Sequence, residues 1–220
     1  MFFLTLQVTN VFIMTGAAIH AVMASACLVA IHLLLSCSDG GRGGFCPGTP
    51  VSEGDIALRR GRGLASRVVI GADPMGKYSH IGIVARAGDG MVVVHSVPGE
   101  SDDGGPDRVK AEPLQSFFSP GRAAAGALMH FRGDTAVAGR ASRIALELAR
   151  RGVLFDHDYD LGDTSRLYCT EMVVFAYSKC GVDITGGRRT ALSIPGFAGD
   201  YIFPSDICES TLFEVTYKFN

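Results

Sequence analysis

Alternation of apolar and polar positions begins at Gly54-Asp55-Ile56-Ala57-Leu58-Arg59, where Ile56 and Leu58 stand between polar or small neighbours as in a strand. Leu64 to Ile70 reads as a short helix ending before Gly71. Two runs, Ile81 to Ala85 and Met91 to Val97, are apolar on both faces, and Gly88-Asp89-Gly90 between them is a hairpin turn signal. Such a hairpin belongs in the middle of a covered sheet. Its register pairs residue 80 with positions near 97 to 99. After the polar loop Gly99 to Pro106 come a helical turn (Pro113 to Phe118) and a strand (Ala127 to Phe131). Thr135 to Arg151 then carries the longest helical pattern, with Val137, Ile144 and Leu148 inside and Gly152 as its stop. A second helix starts at Cys169, its apolar stripe made by Met172, Val173, Phe175, Ala176 and Tyr177, with Asp163, Thr164 and Ser165 upstream as N-cap candidates. Ile194 to Asp206 is a Pro/Gly-rich loop, and Leu212 to Tyr217 a last strand. Strands and helices in this order predict an α+β fold with a mostly antiparallel sheet packed against helices.

The first thirty-six of the 220 residues contain no Asp, Glu, Lys or Arg. That run is long enough to span a bilayer, for which about twenty apolar residues suffice. Leu33-Leu34-Leu35-Ser36-Cys37 is also similar to a bacterial lipobox, which makes Cys37 a lipidation candidate, although no Lys or Arg precedes Arg42. Residues 1–37 are therefore expected to be a signal peptide or membrane anchor, residues 38–52 a flexible Gly/Pro-rich linker, and residues 53–220 the folded domain. Either leader places the domain outside the cytoplasm, tethered at the cell envelope through its N-terminus. A net charge of −2 gives no electrostatic footprint for nucleic acid. The six cysteines follow no disulfide framework and no paired zinc spacing.

Chemistry concentrates in few residues. Cys169 at the first turn of a helix feels the positive end of the macrodipole, which favours thiolate. A thiol nucleophile needs a base, and histidine is tuned for that role. His20 and His32 fall in the apolar leader, His130 ends a strand as a structural residue, and His157 lies in an acidic, solvated loop. His80 and His95 remain, offset neighbours at one end of the hairpin. They can serve as base and orienter, or with Cys169 as part of a zinc site, for which no fourth ligand is evident. Glu171 is expected to pair structurally.

Gly54-Asp55-Ile56, Tyr78-Ser79-His80-Ile81-Gly82-Ile83-Val84, Val94-His95-Ser96, Tyr159-Asp160 and Tyr168-Cys169-Thr170-Glu171-Met172-Val173 occur in that order. Together they resemble the circularly permuted papain-like amidases of the NlpC class, over about residues 52 to 217. The resemblance implies a cysteine hydrolase of the cell envelope, amidase- or peptidase-like, without cofactor or metal. Its implied substrate is a small peptide, a peptidoglycan fragment or a lipid-linked molecule. Relatives acting on lipid acyl groups add ester cleavage or acyl transfer as an alternative, and an inactive tethered binding domain is a third. By the resemblance Cys169 is the nucleophile, His80 the base and His95 the third polar residue. Members often carry Glu at that third position, and Glu100 is the nearest acidic substitute in sequence. Tyr159 is implied as an oxyanion or substrate-binding residue.

Overall fold

The computed structural model describes residues 44–101 and 103–220. The leader, the lipobox and Cys37 lie outside the described residues. Among the described residues no helix is long and apolar enough to cross a membrane.

The chain order is β1 (Ile56–Gly61), α1 (Leu64–Ala72), β2 (His80–Ala87), β3 (Gly90–Ser96), β4 (Val109–Pro113), α2 (Leu114–Phe117), β5 (Ala123–Phe131), α3 (Thr135–Arg150), α4 (Cys169–Ser178), β6 (Thr190–Leu192), β7 (Gly199–Tyr201), α5 (Pro204–Cys208) and β8 (Phe213–Phe219). Six strands form one antiparallel sheet in the order β4-β3-β2-β1-β5-β8, and β6 pairs with β7 separately. The fold is thus α+β, with the predicted hairpin β2–β3 inside the sheet. Gly82 pairs with His95 across it, which puts residue 80 opposite 97.

Strand alternation divides the sheet's two faces. Ile56, Leu58, Ile81, Ile83 and Met129 point to one side, where Ala141, Ala145 and Leu148 of α3 and Met172, Val173 and Ala176 of α4 cover them. Ala57, Val84, Val93 and Leu128 point to the other and pack with Phe117, Phe118 and Phe219. Helix α4 lies on β2 and on α3. The second half of the expected linker is fastened to this domain. Phe45 stacks on Phe118 at 5.0 Å, and the Cys46 N–H donates to the Tyr217 hydroxyl at 3.1 Å.

The structure differs from the sequence reading at β4, at β6 through α5, and at the cap of α4. β4 forms where no strand was expected, because Val109 and Ala111 alternate with Lys110 and Glu112 along an edge. The Pro/Gly-rich stretch contains β7 and then α5, which opens on Pro204 at a position where the missing N–H costs nothing. Asp163, Thr164 and Ser165 do not cap α4. Its N-cap is Tyr168, whose N–H donates to the Glu171 carboxylate at 3.4 Å, while Asp163 closes its own turn by accepting from the Ser165 N–H.

At Gly54, sheet and helices are locked together. Its φ is 87°, its carbonyl accepts the buried Tyr177 hydroxyl at 2.5 Å, and an added Cβ would stand 2.6 Å from Ala138 Cβ and 2.8 Å from Ala138 Cα. Gly54→Ala is expected to lose about 3 kcal/mol of stability, from left-handed strain plus overpacking against a helix backbone. Urea unfolding measures it, and a loss below about 0.5 kcal/mol would show that α3 moves aside freely.

Candidate functional site

The polar chain of the site runs across three adjacent strands on the face opposite α3 and α4. His80 opens β2, His95 lies on β3 and Glu112 on β4, the partner of Gly82 being His95 and that of Val93 being Glu112. Period two then sends Arg59, His80, His95, Lys110 and Glu112 to the same side of the sheet. Gly82 leaves that face open. A Cβ there would meet Val93 Cγ1 at 2.4 Å and His95 Cβ at 3.1 Å, so only glycine admits the His95 side chain beside His80. Phe117 supports both rings, with centroids 5.6 Å from His80 and 5.2 Å from His95, and the Arg59 guanidinium lies over it at 4.7 Å.

His80 Nε2 and His95 Nδ1 are 2.9 Å apart. His95 Nε2 and Glu112 Oε1 are 3.0 Å apart, with the N–H axis off the line between them, so that contact is electrostatic first. Burial works to raise the Glu112 pKa. It is outweighed by His95, by Arg122 at 2.5 Å and by Lys110 at 3.7 Å, which together pull the carboxyl down to about 2. Burial lowers the pKa of both histidines, and for His80 the Arg59 charge adds to it.

A carboxylate can only accept, so a neutral His95 carries its proton on Nε2. Its Nδ1 is then a lone pair, and His80 must donate from Nε2. The His80 nitrogen left as a base is Nδ1. Glu112 therefore sets, through His95, which atom of His80 can take a proton.

Cys169 reaches the same cleft from the first turn of α4. It is a free thiol, half-buried, and no hydrogen bond joins it to His80 in this arrangement. Burial pushes its pKa up to about 11, against the backbone N–H groups of Ile81, Thr170 and Cys169 itself. The thiolate expected from the helix dipole is thus overridden by desolvation, and the resting pair is neutral thiol and neutral imidazole. Tyr168 and Thr170 fix the helix start by bonding both polar atoms of the Ile202 backbone, at 3.0 and 2.5 Å.

The other sequence candidates divide. Tyr159 lines the cleft 5.3 Å from the Tyr168 ring, in a left-handed conformation (φ 55°). The fully buried Asp156 holds that turn by accepting from the N–H groups of Asp158 and Asp160. The hydroxyl has no hydrogen bond among the described residues. Burial raises its pKa, and both it and Cys169 line the cleft. Glu100 does not orient either histidine. It is paired with Arg59 and, at 3.4 Å, with Arg122, because the loop carrying it crosses the guanidinium side of the site. The acid beside His95 is Glu112, on the strand β4 that the sequence reading did not include; the alternation Val109-Lys110-Ala111-Glu112 was its signal. His130 bonds Asp55 at 2.8 Å, and His157 is exposed.

No protein-family model matches the chain, and no curated protein matches it. Among solved structures, it is similar to the metalloprotein yiiX of Escherichia coli O157:H7, whose title also carries the label DUF1105. The TM-score is 0.61 at 18% identity, over 77% of this chain and 98% of that one. The likeness is one of fold. It overturns the resemblance to NlpC-class amidases, and the envelope amidase function read from that resemblance, with its lipid-acyl and binding-domain alternatives, falls with it; any role for Cys169 then rests on the geometry of the site itself. The donors here do not suit a metal either. His80 and His95 turn nitrogens toward each other and Glu112 is spent on His95 and Arg122, so no three ligands converge among the described residues.

Glu171 supplies a test of the site's electrostatics. Buried under α4's first turn, it has a carboxyl pushed up to about 8 by desolvation, with Asp156, Asp160 and Asp163 adding to the rise. The folded state therefore holds this proton more tightly than the unfolded chain. The resulting stabilisation is complete below pH 4.5 and is lost as pH rises through about 8. Glu171→Gln keeps an acceptor for the Tyr168 N–H and should abolish this slope. A difference between wild-type and variant unfolding free energies that stays flat from pH 5 to 8 would mean that Glu171 is ionised in the fold.

Proposed function

We propose that this domain is a thiol-dependent enzyme, with Cys169 as nucleophile, His80 as general base, and His95 and Glu112 as the residues that order the base. In the layout that supports this reading, a cysteine opens a helix beside the strand that a histidine opens. The observation that carries the reading is the polar chain Glu112–His95–His80, which leaves one unpartnered imidazole nitrogen in the cleft that Cys169 also lines.

Two neutral groups make proton transfer part of the attack. As Sγ bonds to an electrophilic carbonyl carbon, the thiol proton passes to His80 Nδ1. The imidazolium so formed donates through Nε2 to His95 Nδ1, and His95 Nε2 faces the Glu112 carboxylate. The positive charge thus meets a fixed negative charge without water having to reorganise. Collapse of the adduct returns the proton from His80 to the leaving group. The Cys169 backbone N–H at the helix start is one donor for the developing oxyanion, and the Tyr159 hydroxyl is the candidate for the second. The cleft, about 600 Å³, is walled by Val68, Val69, Ile194 and Phe197, which suits a substrate with an apolar group beside the reacting carbon.

p-Nitrophenyl acetate serves as an activated probe of this chemistry. One equivalent of p-nitrophenolate is expected in a burst, with one acetyl group recovered on Cys169 by mass spectrometry. Cys169→Ala should lose the burst. Glu112→Gln should slow it on the order of 10²-fold or more, within the usual share of general-base catalysis. Acetyl mass on Cys180 or Cys208 at equal rate would overturn the proposal.

The neutral pair also predicts how Cys169 meets iodoacetamide. Alkylation should be slow at pH 6 and rise steeply toward pH 11, following the raised thiol pKa. Fast alkylation at pH 6 would mean that a thiolate–imidazolium pair exists at rest.

A further inference from the structure

Eight large apolar side chains are exposed among the described residues, and their placement is uneven. Val68 (57% exposed), Tyr159, Ile194 and Phe197 (57%) line the cleft. Leu64 (77%) and Met75 (60%) flank them at either end of α1. Only Leu154 and Val215 lie elsewhere. Helix α1 is itself unusual, since its sequence LASRVVIGA is largely apolar and none of its residues is buried. An apolar helix that covers no core has its partner outside the domain.

Charge says which partner. From Gly61 to Lys77 the cations are Arg62, Arg67 and Lys77, all exposed. The single acid in that stretch, Asp73, is buried and bonded to the Ser205 hydroxyl at 2.7 Å. Across the cleft Arg189 is exposed beside β6, and Asp200 is the acid on the facing hairpin. The whole chain has a net charge of −2, so this positive bias is local to the rim. A second copy docked face to face would bring Arg62, Arg67 and Lys77 against their own images, which disfavours self-association. At nine residues, α1 is far short of a membrane span.

We propose that the cleft mouth docks on an anionic lipid surface, with α1 and the Ile194–Phe197 tip lying in the headgroup region and the cations meeting lipid phosphates. Apolar side chains on one side and Lys or Arg at the level of the headgroups are the chemistry of interfacial binding. Docked this way, the opening above Cys169 faces the interface, from which an apolar substrate is drawn without crossing water. The inference does not require the thiol chemistry, and it fails or holds independently of it.

The chain contains no tryptophan, so one introduced tryptophan is a clean local reporter. Full-length Phe197→Trp and Leu64→Trp report the rim, and Val215→Trp on β8 reports a remote surface. With phosphatidylglycerol vesicles, both rim reporters are expected to shift to the blue and to be quenched by bromine-labelled lipid, while the one at 215 stays unchanged. Neutral phosphatidylcholine vesicles should give a weaker shift. Arg67→Glu with Lys77→Glu should weaken the anionic response about tenfold or more, and high salt should do the same. Rim emission unchanged on vesicle-bound protein would overturn the proposal, as would equal quenching at 215. A blue shift that grows with protein concentration in the absence of lipid would assign the surface to another protein molecule instead.

Discussion

The site depends on one ionised carboxylate held under a β-sheet edge. Glu112 is nearly buried, yet its surroundings keep it charged, and that charge decides where two histidines carry their protons. Removing the charge would leave either nitrogen of His95 free to hold the hydrogen, and His80 would lose its fixed tautomer. Arg122, Lys110 and Arg59 have a corresponding purpose: without cations close by, burial would neutralise Glu112 instead. Electrostatic order at the site is thus supplied from β4, two places along the sheet from β2, which carries His80.

Packing makes that order possible. The helices cover the face of β1 and β2 that carries Ile56, Leu58, Ile81 and Ile83, so the opposite face is available for polar residues over Phe117. Imidazoles tolerate this because their edges bond each other and their faces meet an aromatic ring. Gly82 provides the space and Gly54 lets α3 and α4 come close enough to set Cys169 at the sheet's end. Cys169 arrives from the helical layer and His80 from the strand layer, at a rim where both layers stop.

Period and turn chemistry made most of the fold legible. Gly88-Asp89-Gly90 placed the hairpin and its register, and the stripe from Met172 to Tyr177 placed α4. The pair His80 and His95 followed from that register alone, because an antiparallel pairing has only one way to bring them to one end. Glu112 did not follow. Its strand is short, lies at the sheet edge and carries two charged residues in five, a pattern that local propensity reads as loop. Pairing with β3, a tertiary contact, makes it a strand. The caps of α4 failed for a related reason: Asp163 and Ser165 satisfy each other in a turn of their own, so the first-turn donors depend on Glu171 from within the helix.

The protonation state of Cys169 shows why position on a helix is not enough to read reactivity. The macrodipole near an N-terminus contributes roughly 0.3–1 kcal/mol, which moves a thiol by less than one pH unit. Desolvation at the junction of α4 and β2 raises the same thiol from its ordinary value of 9.0 to about 11. The larger effect wins, so a resting thiolate is not available. On the proposed mechanism a thiol in this state has to be activated during the reaction, by a base whose free nitrogen is already aimed by its own partners. That requirement links the high pKa of Cys169 to the low pKa of Glu112. The more the thiol is desolvated, the more the chemistry depends on a histidine whose tautomer cannot wander, and the ionised carboxylate at the far end of the chain provides that constraint.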